Sequence, residues 1–223
     1  MPRILALSIV LTLSSGCAGA NSSAVTPSPV GPTLSFFVTS AKSTTGNIGG
    51  LRGADTLCQT LAAAAGAGTK TWRAYLSAER DPDSGRAVDA RTRIGSGPWI
   101  NAKGVVVANN LTELHARKGD STVFVDEKGQ PINGQWTGSP TPNEHDIMTG
   151  STADGTLLTG FTCRDWTSDA ATTFGQVGHA DGLGPNGDTS GALSSWSSAH
   201  ANQNCANTAP RGGAGRIYCF ATN

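Results

Sequence analysis

The chain has 223 residues, and its acidic and basic side chains are equal in number, with 16 of each. This balance excludes a broadly basic nucleic-acid-binding protein, because phosphate contacts need an excess of Lys and Arg. Only 14% of the residues are charged, against about 25% in typical soluble proteins. An apolar fraction of 37% and five tryptophans are enough for the core of one domain, with 29 glycines pointing to many turns.

The first residues have the form of a secretory signal peptide. A positively charged start precedes an apolar run over residues 4–13, which is shorter than the ~20 residues of a transmembrane helix. Ser14-Ser15-Gly16 then precede Cys17, and this end resembles a bacterial lipobox, in which the cysteine becomes lipidated. We expect residues 1–16 to be the signal peptide and Cys17 to carry the lipid. Ordinary cleavage near residues 18–20 is the alternative.

Residues 17–33 are predicted to form a flexible tether. The stretch from residue 18 to residue 32 is uncharged and mostly Pro, Ser, Gly and Ala, so it cannot bury enough apolar surface to offset its ordering entropy. No aspartate directly follows Cys17, which favours the outer membrane over the inner one. We therefore expect an exported outer-membrane lipoprotein, held to the membrane by its lipid, with a folded domain over residues 34–223.

The folded part contains six predicted elements. Residues 110–113 (Asn-Leu-Thr-Glu) have the form of a capping box, and residues 54–65 have the three-to-four apolar spacing of a helix. The elements, in chain order, are a strand at 34–39, a helix at 54–65, a strand at 71–77, a short helix opening at Asn110, a strand at 122–125 and a last strand at 216–221. Residues 136–211 are predicted to be mostly loop, and such long loops are usually functional or cross-linked.

Four cysteines remain after Cys17, an even number that can pair. An exported chain with this pattern is typical of disulfide-stapled proteins. The sequence has no Cys-x-x-Cys motif, so a thiolate zinc site is not favoured. The residues alone leave three pairings open for Cys58, Cys163, Cys205 and Cys219.

Three parts of the sequence share a pattern with a known family. They are Ile48–Asp55 with Cys58 and Trp72–Ser77, then Thr149–Ser168, and finally Gly175-Gln176 with Cys205 and Tyr218-Cys219. These segments resemble the endostatin domain, the C-terminal part of certain collagens, and also bacterial lectin-like lipoproteins. The resemblance covers residues 36–221.

This resemblance implies the C-type-lectin-like fold. The expected molecule is an α+β single domain with short antiparallel strands, one or two helices and long disulfide-stapled loops. It also implies nested disulfides, Cys58–Cys219 around Cys163–Cys205. The zinc ligands of endostatins do not carry over, because they cluster near the N-terminus with histidines and this sequence has no histidine before His115. The calcium-binding triplets of sugar-binding lectins are also incomplete here, at residues 141–143 and 196–198.

Polar and aromatic residues of the loop-rich half are the candidates for ligand binding. We expect them to line one concave face at the end of the domain opposite the termini, with Trp196 as a stacking platform. The alternative is ordinary loop architecture, in which Asn and Asp side chains cap turns and the tryptophans lie in the core. The candidates are Asn143, Glu144, His145, Asp146, His179, Asp181, Trp196 and His200.

A hard cation is a second interpretation of the same loops. Asp181, Asn186 and Asp188 offer oxygen ligands of the kind that calcium prefers. Calcium is the one cofactor considered, and otherwise none is expected.

No enzyme motif is present. The sequence lacks a Gly-x-Ser-x-Gly elbow, a His-Glu-x-x-His motif and a Gly-x-x-x-x-Gly-Lys loop, so a non-enzyme is expected. The predicted role is noncovalent recognition of a glycan, an envelope or matrix molecule or another extracellular protein, with no nucleic-acid partner. A structural envelope lipoprotein without a specific ligand is the alternative.

Overall fold

A computed structural model describes residues 33–222 and the isolated Pro2. The predicted signal peptide, the lipidation site Cys17 and the tether up to residue 32 lie outside the described residues, as does Asn223. None of the described helices has the length and apolarity needed to cross a bilayer.

The described residues form a mixed α+β structure with short strands. The elements are β1 (Phe36–Val38), α1 (Gly50–Ala64), β2 (Trp72–Ala74), α2 (Ala90–Arg93), β3 (Trp99–Ile100), β4 (Val106–Ala108), α3 (Leu111–Ala116), β5 (Asp146–Met148), β6 (Gln176–His179), β7 (His200–Ala201) and β8 (Gly213–Ala221). Between β5 and β6, Cys163–Trp166 form a four-residue turn with left-handed φ values of 47–65°. The mixed class agrees with the prediction, but the described residues contain three helices where one or two were expected.

The long strand β8 organises the main sheet. The strand order is β1-β8-β5-β6-β7, and β2 also pairs with β8. Strands β1 and β2 run antiparallel to the second half of β8, whereas β5 runs parallel to its first half. The expectation of antiparallel strands is therefore wrong for the β5–β8 pair, while the other pairs are antiparallel.

Alternate side chains of the sheet enter two separate cores. Because successive residues of a strand point to opposite faces, Phe37 and Cys219 pack in one core and Phe36 and Tyr218 in the other. Helix α1 covers the first core with its apolar face. The second core is aromatic, and it includes Phe36, Tyr75, Trp99, Phe124, Trp196, Tyr218 and Phe220.

The disulfides join Cys58 to Cys219 and Cys163 to Cys205, with Cα–Cα distances of 5.5 Å and 5.8 Å. The nested pairing implied by the family resemblance is confirmed. The outer bridge ties α1 to β8, and the inner bridge ties the left-handed turn to the segment after β7.

Of the other predicted elements, the helix that opens at Asn110 is present, whereas the strand at residues 122–125 is not. Asn110 caps α3 as predicted, since its side chain accepts a hydrogen bond of 3.0 Å from the Glu113 N–H. The strand predicted at residues 122–125 is wrong. Asp120 holds this segment in a tight turn, because its backbone oxygen accepts from the N–H groups of Val123 and Phe124. The predicted loop at 136–211 contains β5, β6 and β7, which are too short to show a clear periodicity.

Candidate functional site

The ends of three neighbouring strands bring the main site residues together. Asp146 begins β5 and lies opposite His179, which ends β6. His200 begins β7 and pairs with Val177, two residues before His179 on the same face of β6. Asp146 also pairs with Gly213 at the start of β8, whereas Phe36 of β1 pairs with Phe220 near its end. The site therefore lies at the opposite end of β8 from β1.

A cavity of about 340 Å³ opens over these strand ends. We call it the histidine pocket. Four of the eight candidates, Asn143, His145, His179 and His200, line the pocket, and Asp146 and Asp181 contact His145. Gln135 and Arg211, two further polar lining residues, were not predicted. No periodicity or motif marks these two residues, because loops bring them to the site. The lining consists of Gln135, Asn143, His145, His179, Pro185, Leu193, His200 and Arg211.

Three imidazoles converge on the carboxylate of Asp146, which is 2% exposed. The Nε2 atoms of His145 and His179 lie 3.3 Å and 3.4 Å from Asp146 Oδ1. The Nε2 atom of His200 lies 3.7 Å from Oδ2 and 3.0 Å from Nε2 of His179. Within residues 33–222, neither oxygen of Asp146 has a hydrogen-bond partner.

The other nitrogen of each imidazole faces a fixed acceptor. Nδ1 of His145 lies 2.7 Å from Asp181 Oδ1. Nδ1 of His179 lies 2.8 Å from the Leu193 carbonyl oxygen, and Nδ1 of His200 lies 2.9 Å from that of Ala201. All three Nε2 atoms therefore face the region of Asp146.

Burial controls the electrostatics of this cluster. It raises the pKa of Asp146 to about 6, against the opposing effect of His200 and His145. It lowers the pKa of His179 to about 4, together with repulsion from the other two imidazoles. Burial alone would raise the pKa of Asp181, but the hydrogen bond from His145 and the backbone N–H donors outweigh it, so this pKa is lowered.

A glycine permits the close approach of the chain behind His145. A Cβ atom on Gly134 would lie 2.1 Å from Asp181 Oδ2, well inside van der Waals contact. The next residue, Gln135, donates its backbone N–H to the same oxygen at 2.6 Å. Asp181 is thus held between His145 and this loop.

Glu144 and Trp196 lie away from the pocket, contrary to the expectation. The Glu144 carboxylate is buried and accepts a hydrogen bond of 2.6 Å from Arg216, and Lys42 also contacts it. Trp196 is fully buried in the aromatic core, where its indole N–H donates to Leu114. The role of Trp196 as a stacking platform is therefore wrong, because its ring has no exposed face.

The three residues considered for calcium do not form one group of ligands. Asp181 contacts His145, whereas exposed Asp188 accepts a hydrogen bond from the backbone of Ser190. Asn186 occupies a left-handed position with φ 57° in an exposed turn. The residues that could hold a metal ion are instead His145, Asp146 and His179, with His200 beside them.

Comparison with known proteins gives one relationship. None of the curated proteins matches the chain. The model of a family described as "Protein of unknown function (DUF1554)" matches residues 41–183. This segment runs from just after β1 to just after β6, and it includes His145, Asp146 and His179. The match covers more than half of the sequence, and the chain therefore belongs to the DUF1554 family.

Proposed function

We propose that the chain is an outer-membrane lipoprotein whose C-type-lectin-like domain recognises a glycan noncovalently through the histidine pocket. The observation that carries this proposal is the pocket itself. Its volume of about 340 Å³ is near the lower end of the ~300–1,000 Å³ usual for small-ligand sites, which suits one or two sugar units.

The lining combines polar groups with a mostly apolar surface. Pro185 and Leu193 form an apolar patch, and amide, imidazole and guanidinium groups from loops and from the ends of β6 and β7 also line the pocket. Such a mixture of a few converging polar groups with apolar contacts is usual in ligand sites. The ligand would exchange hydrogen bonds with Gln135 and Asn143 and pack its apolar edge on the patch.

Arg211 points to the charge of the ligand. It lines the pocket and is exposed, and its one described side-chain hydrogen bond, to the Ala201 oxygen, is long at 3.4 Å. A guanidinium with free donors binds carboxylate, phosphate or sulfate groups in a bidentate manner. We therefore propose an acidic sugar of an envelope or matrix glycan as the ligand.

The overall arrangement supports the lectin-like fold. The nested disulfides and the position of the pocket at the far end of β8 from β1 agree with what the resemblance implies. A structural lipoprotein without a ligand would not need an open pocket in which the Arg211 guanidinium makes a single long hydrogen bond among the described residues.

An Arg211→Gln variant is expected to weaken binding of acidic glycans. A glycan array of the full chain would first identify the glycan that binds, and titration would then compare the variants. Loss of a charged hydrogen bond of about 1.5–3 kcal/mol corresponds to roughly a 10- to 150-fold increase in Kd. Exposed Arg86, which does not line the pocket, provides the control Arg86→Gln with unchanged binding. Absence of saturable binding to any array member would instead support the structural alternative.

A Cys17→Ser variant is expected to move the protein from the membrane fraction to the soluble fraction. The reason is that a lipid anchor stabilises membrane attachment by ~0.8 kcal/mol per buried methylene, and this variant cannot be acylated. Fractionation followed by immunoblotting measures the change. Unaltered membrane partition of the variant would contradict lipidation at Cys17.

A further inference from the structure

We infer that His145, Asp146, His179 and His200 form a binding site for a divalent transition-metal ion, with Zn²⁺ as the best fit. These four residues are called the metal cluster below. The inference goes beyond glycan recognition, because the cluster would bind the ion whether or not a glycan occupies the pocket.

The first argument is the unpaired carboxylate. Asp146 is 2% exposed, and none of the described residues makes a hydrogen bond to either of its oxygens. A buried charge without a partner is strongly unfavourable, so buried carboxylates are paired, hydrogen-bonded or bound to metals. The groups nearest to this carboxylate are three imidazole nitrogens. A cation among them would satisfy Asp146.

The second argument is the proton positions of the imidazoles. A carbonyl oxygen can only accept a hydrogen bond, so His179 and His200 must carry their protons on Nδ1, which faces the carbonyls of Leu193 and Ala201. A neutral imidazole that is protonated on Nδ1 presents a lone pair on Nε2. Two such lone pairs at 3.0 Å would repel each other, and either a metal ion bound to both nitrogens or a proton between them removes this repulsion.

The third argument is the spacing of the donor atoms. Zn–N bonds of about 2.0–2.1 Å in a tetrahedral site place neighbouring donor atoms about 3.3 Å apart. The separations in the structure are 3.0 Å between Nε2 of His179 and Nε2 of His200, and 3.3 Å and 3.4 Å from Asp146 Oδ1 to Nε2 of His145 and of His179. His200 lies 3.7 Å from Asp146 Oδ2. The donor atoms of His145, Asp146 and His179 all lie within 4.8 Å of one another, and His200 would add a fourth donor from beside them.

The surroundings of the cluster are those of a metal site. Zinc-bound histidines usually donate their second N–H to a carboxylate or a backbone carbonyl, which fixes the ring and its tautomer. His145 does so to Asp181 and His179 to Leu193. The Asn143 amide would compete with the metal ion for one nitrogen, because Asn143 Nδ2 lies 3.2 Å from His145 Nε2. This contact is itself consistent with an unprotonated Nε2.

The donor set selects the class of metal. Imidazole nitrogens suit Zn, Cu, Ni and Fe, whereas calcium and magnesium prefer sites made only of oxygen. Three imidazoles with one carboxylate therefore favour a transition metal. Calcium, which the loop residues had suggested, does not fit this cluster.

The test is metal binding by the full chain after treatment with a chelator and dialysis. Titration with ZnCl₂ against a chromophoric competitor gives the affinity, and elemental analysis gives the stoichiometry. We expect one tightly bound Zn²⁺ per chain and, after Co²⁺ substitution, the visible absorption bands of a tetrahedral site without thiolate ligands. Asp146→Asn and the half-buried His200→Gln should each abolish this binding. Asp181 would act on the ion only through its hydrogen bond with His145. Asp181→Asn should therefore weaken Zn²⁺ binding by roughly 10- to 100-fold.

Two controls keep the result interpretable. Exposed Asp188→Asn removes a carboxylate of the same half of the domain and should bind Zn²⁺ like the unaltered chain. Far-ultraviolet circular dichroism shows whether each variant is folded, and His200→Gln carries the lower risk because its ring is 28% exposed. Equal Zn²⁺ binding by the unaltered chain and a folded His200→Gln variant would overturn the inference, as would failure of the unaltered chain to bind. If protons alone neutralise the cluster, the unaltered chain will not bind Zn²⁺.

Discussion

Trp196→Ala is expected to lower the free energy of unfolding by about 3–5 kcal/mol, the usual cost of truncating a large buried aromatic side chain. The indole ring is fully buried and contacts Tyr75, Phe124 and Tyr218, with ring centroids 4.8–5.6 Å away. Its N–H donates to the Leu114 oxygen at 2.9 Å. Truncation would leave a cavity in the aromatic core and remove this hydrogen bond. Denaturant unfolding followed by fluorescence measures the loss.

Trp136→Ala is the matched control. Its ring is only partly buried, so we expect a distinctly smaller loss of stability. Glycan affinity of a folded Trp196→Ala variant should stay near that of the unaltered chain, because Trp196 does not line the histidine pocket. A stable variant that had lost glycan binding would instead return Trp196 to the site.

Replacing Cys58 and Cys219 together by alanine is expected to destabilise the domain by about 5 kcal/mol. In the chain-entropy model, a bridge stabilises the fold in proportion to the logarithm of the loop that it closes. The sequence separation of this pair is 161, against 42 for Cys163 and Cys205. The second double variant should therefore lose only about 4 kcal/mol in the same model.

Chemical denaturation of both double variants gives the comparison, with non-reducing peptide mapping to verify that the remaining bridge forms. Both cysteine pairs are buried in the same core. The cavities left by the alanine substitutions are therefore similar, and their effects partly cancel when the stability losses of the two double variants are compared. A larger loss from the inner pair would show that local packing, and not loop closure, dominates.

The parts of the fold that depend on neighbouring residues could be predicted from the sequence. Helix α3 follows from Asn110 and Glu113. The Asn110 side-chain oxygen accepts a hydrogen bond from the Glu113 backbone N–H, and the Asn110 amide donates one to the Glu113 carboxylate. The turn at Asp120 shows the limit, because Val123 and Phe124 are buried and suit a strand, yet the Asp120 oxygen accepts from both of their N–H groups. Strands β5, β6 and β7 of the site gave no signal, since two to four residues contain too few alternations.

The site could be predicted as a region but not as a set of side chains. The sequence showed that three polar segments lie in one half of the chain, and the strand ends bring them together. It could not show that His145 faces Asp181 while the adjacent Glu144 faces Arg216. That difference depends on the parallel pairing of β5 with β8, a long-range contact without a local signature. The presence of His145, His179 and His200 in the loop-rich half was the clue in the sequence to a transition metal.

The position of β8 has a consequence for biosynthesis. Strands β1, β2 and β5 all pair with β8, so a nascent chain cannot complete its sheet until residues 213–221 have been made. Contacts between such distant segments slow folding, because the long loop must close before the contacts stabilise it. Cys58 and Cys163 are both synthesised well before Cys219, and an oxidant could join them first. Reaching the native bridges then requires either delayed oxidation or thiol–disulfide exchange, the reaction that a disulfide isomerase accelerates.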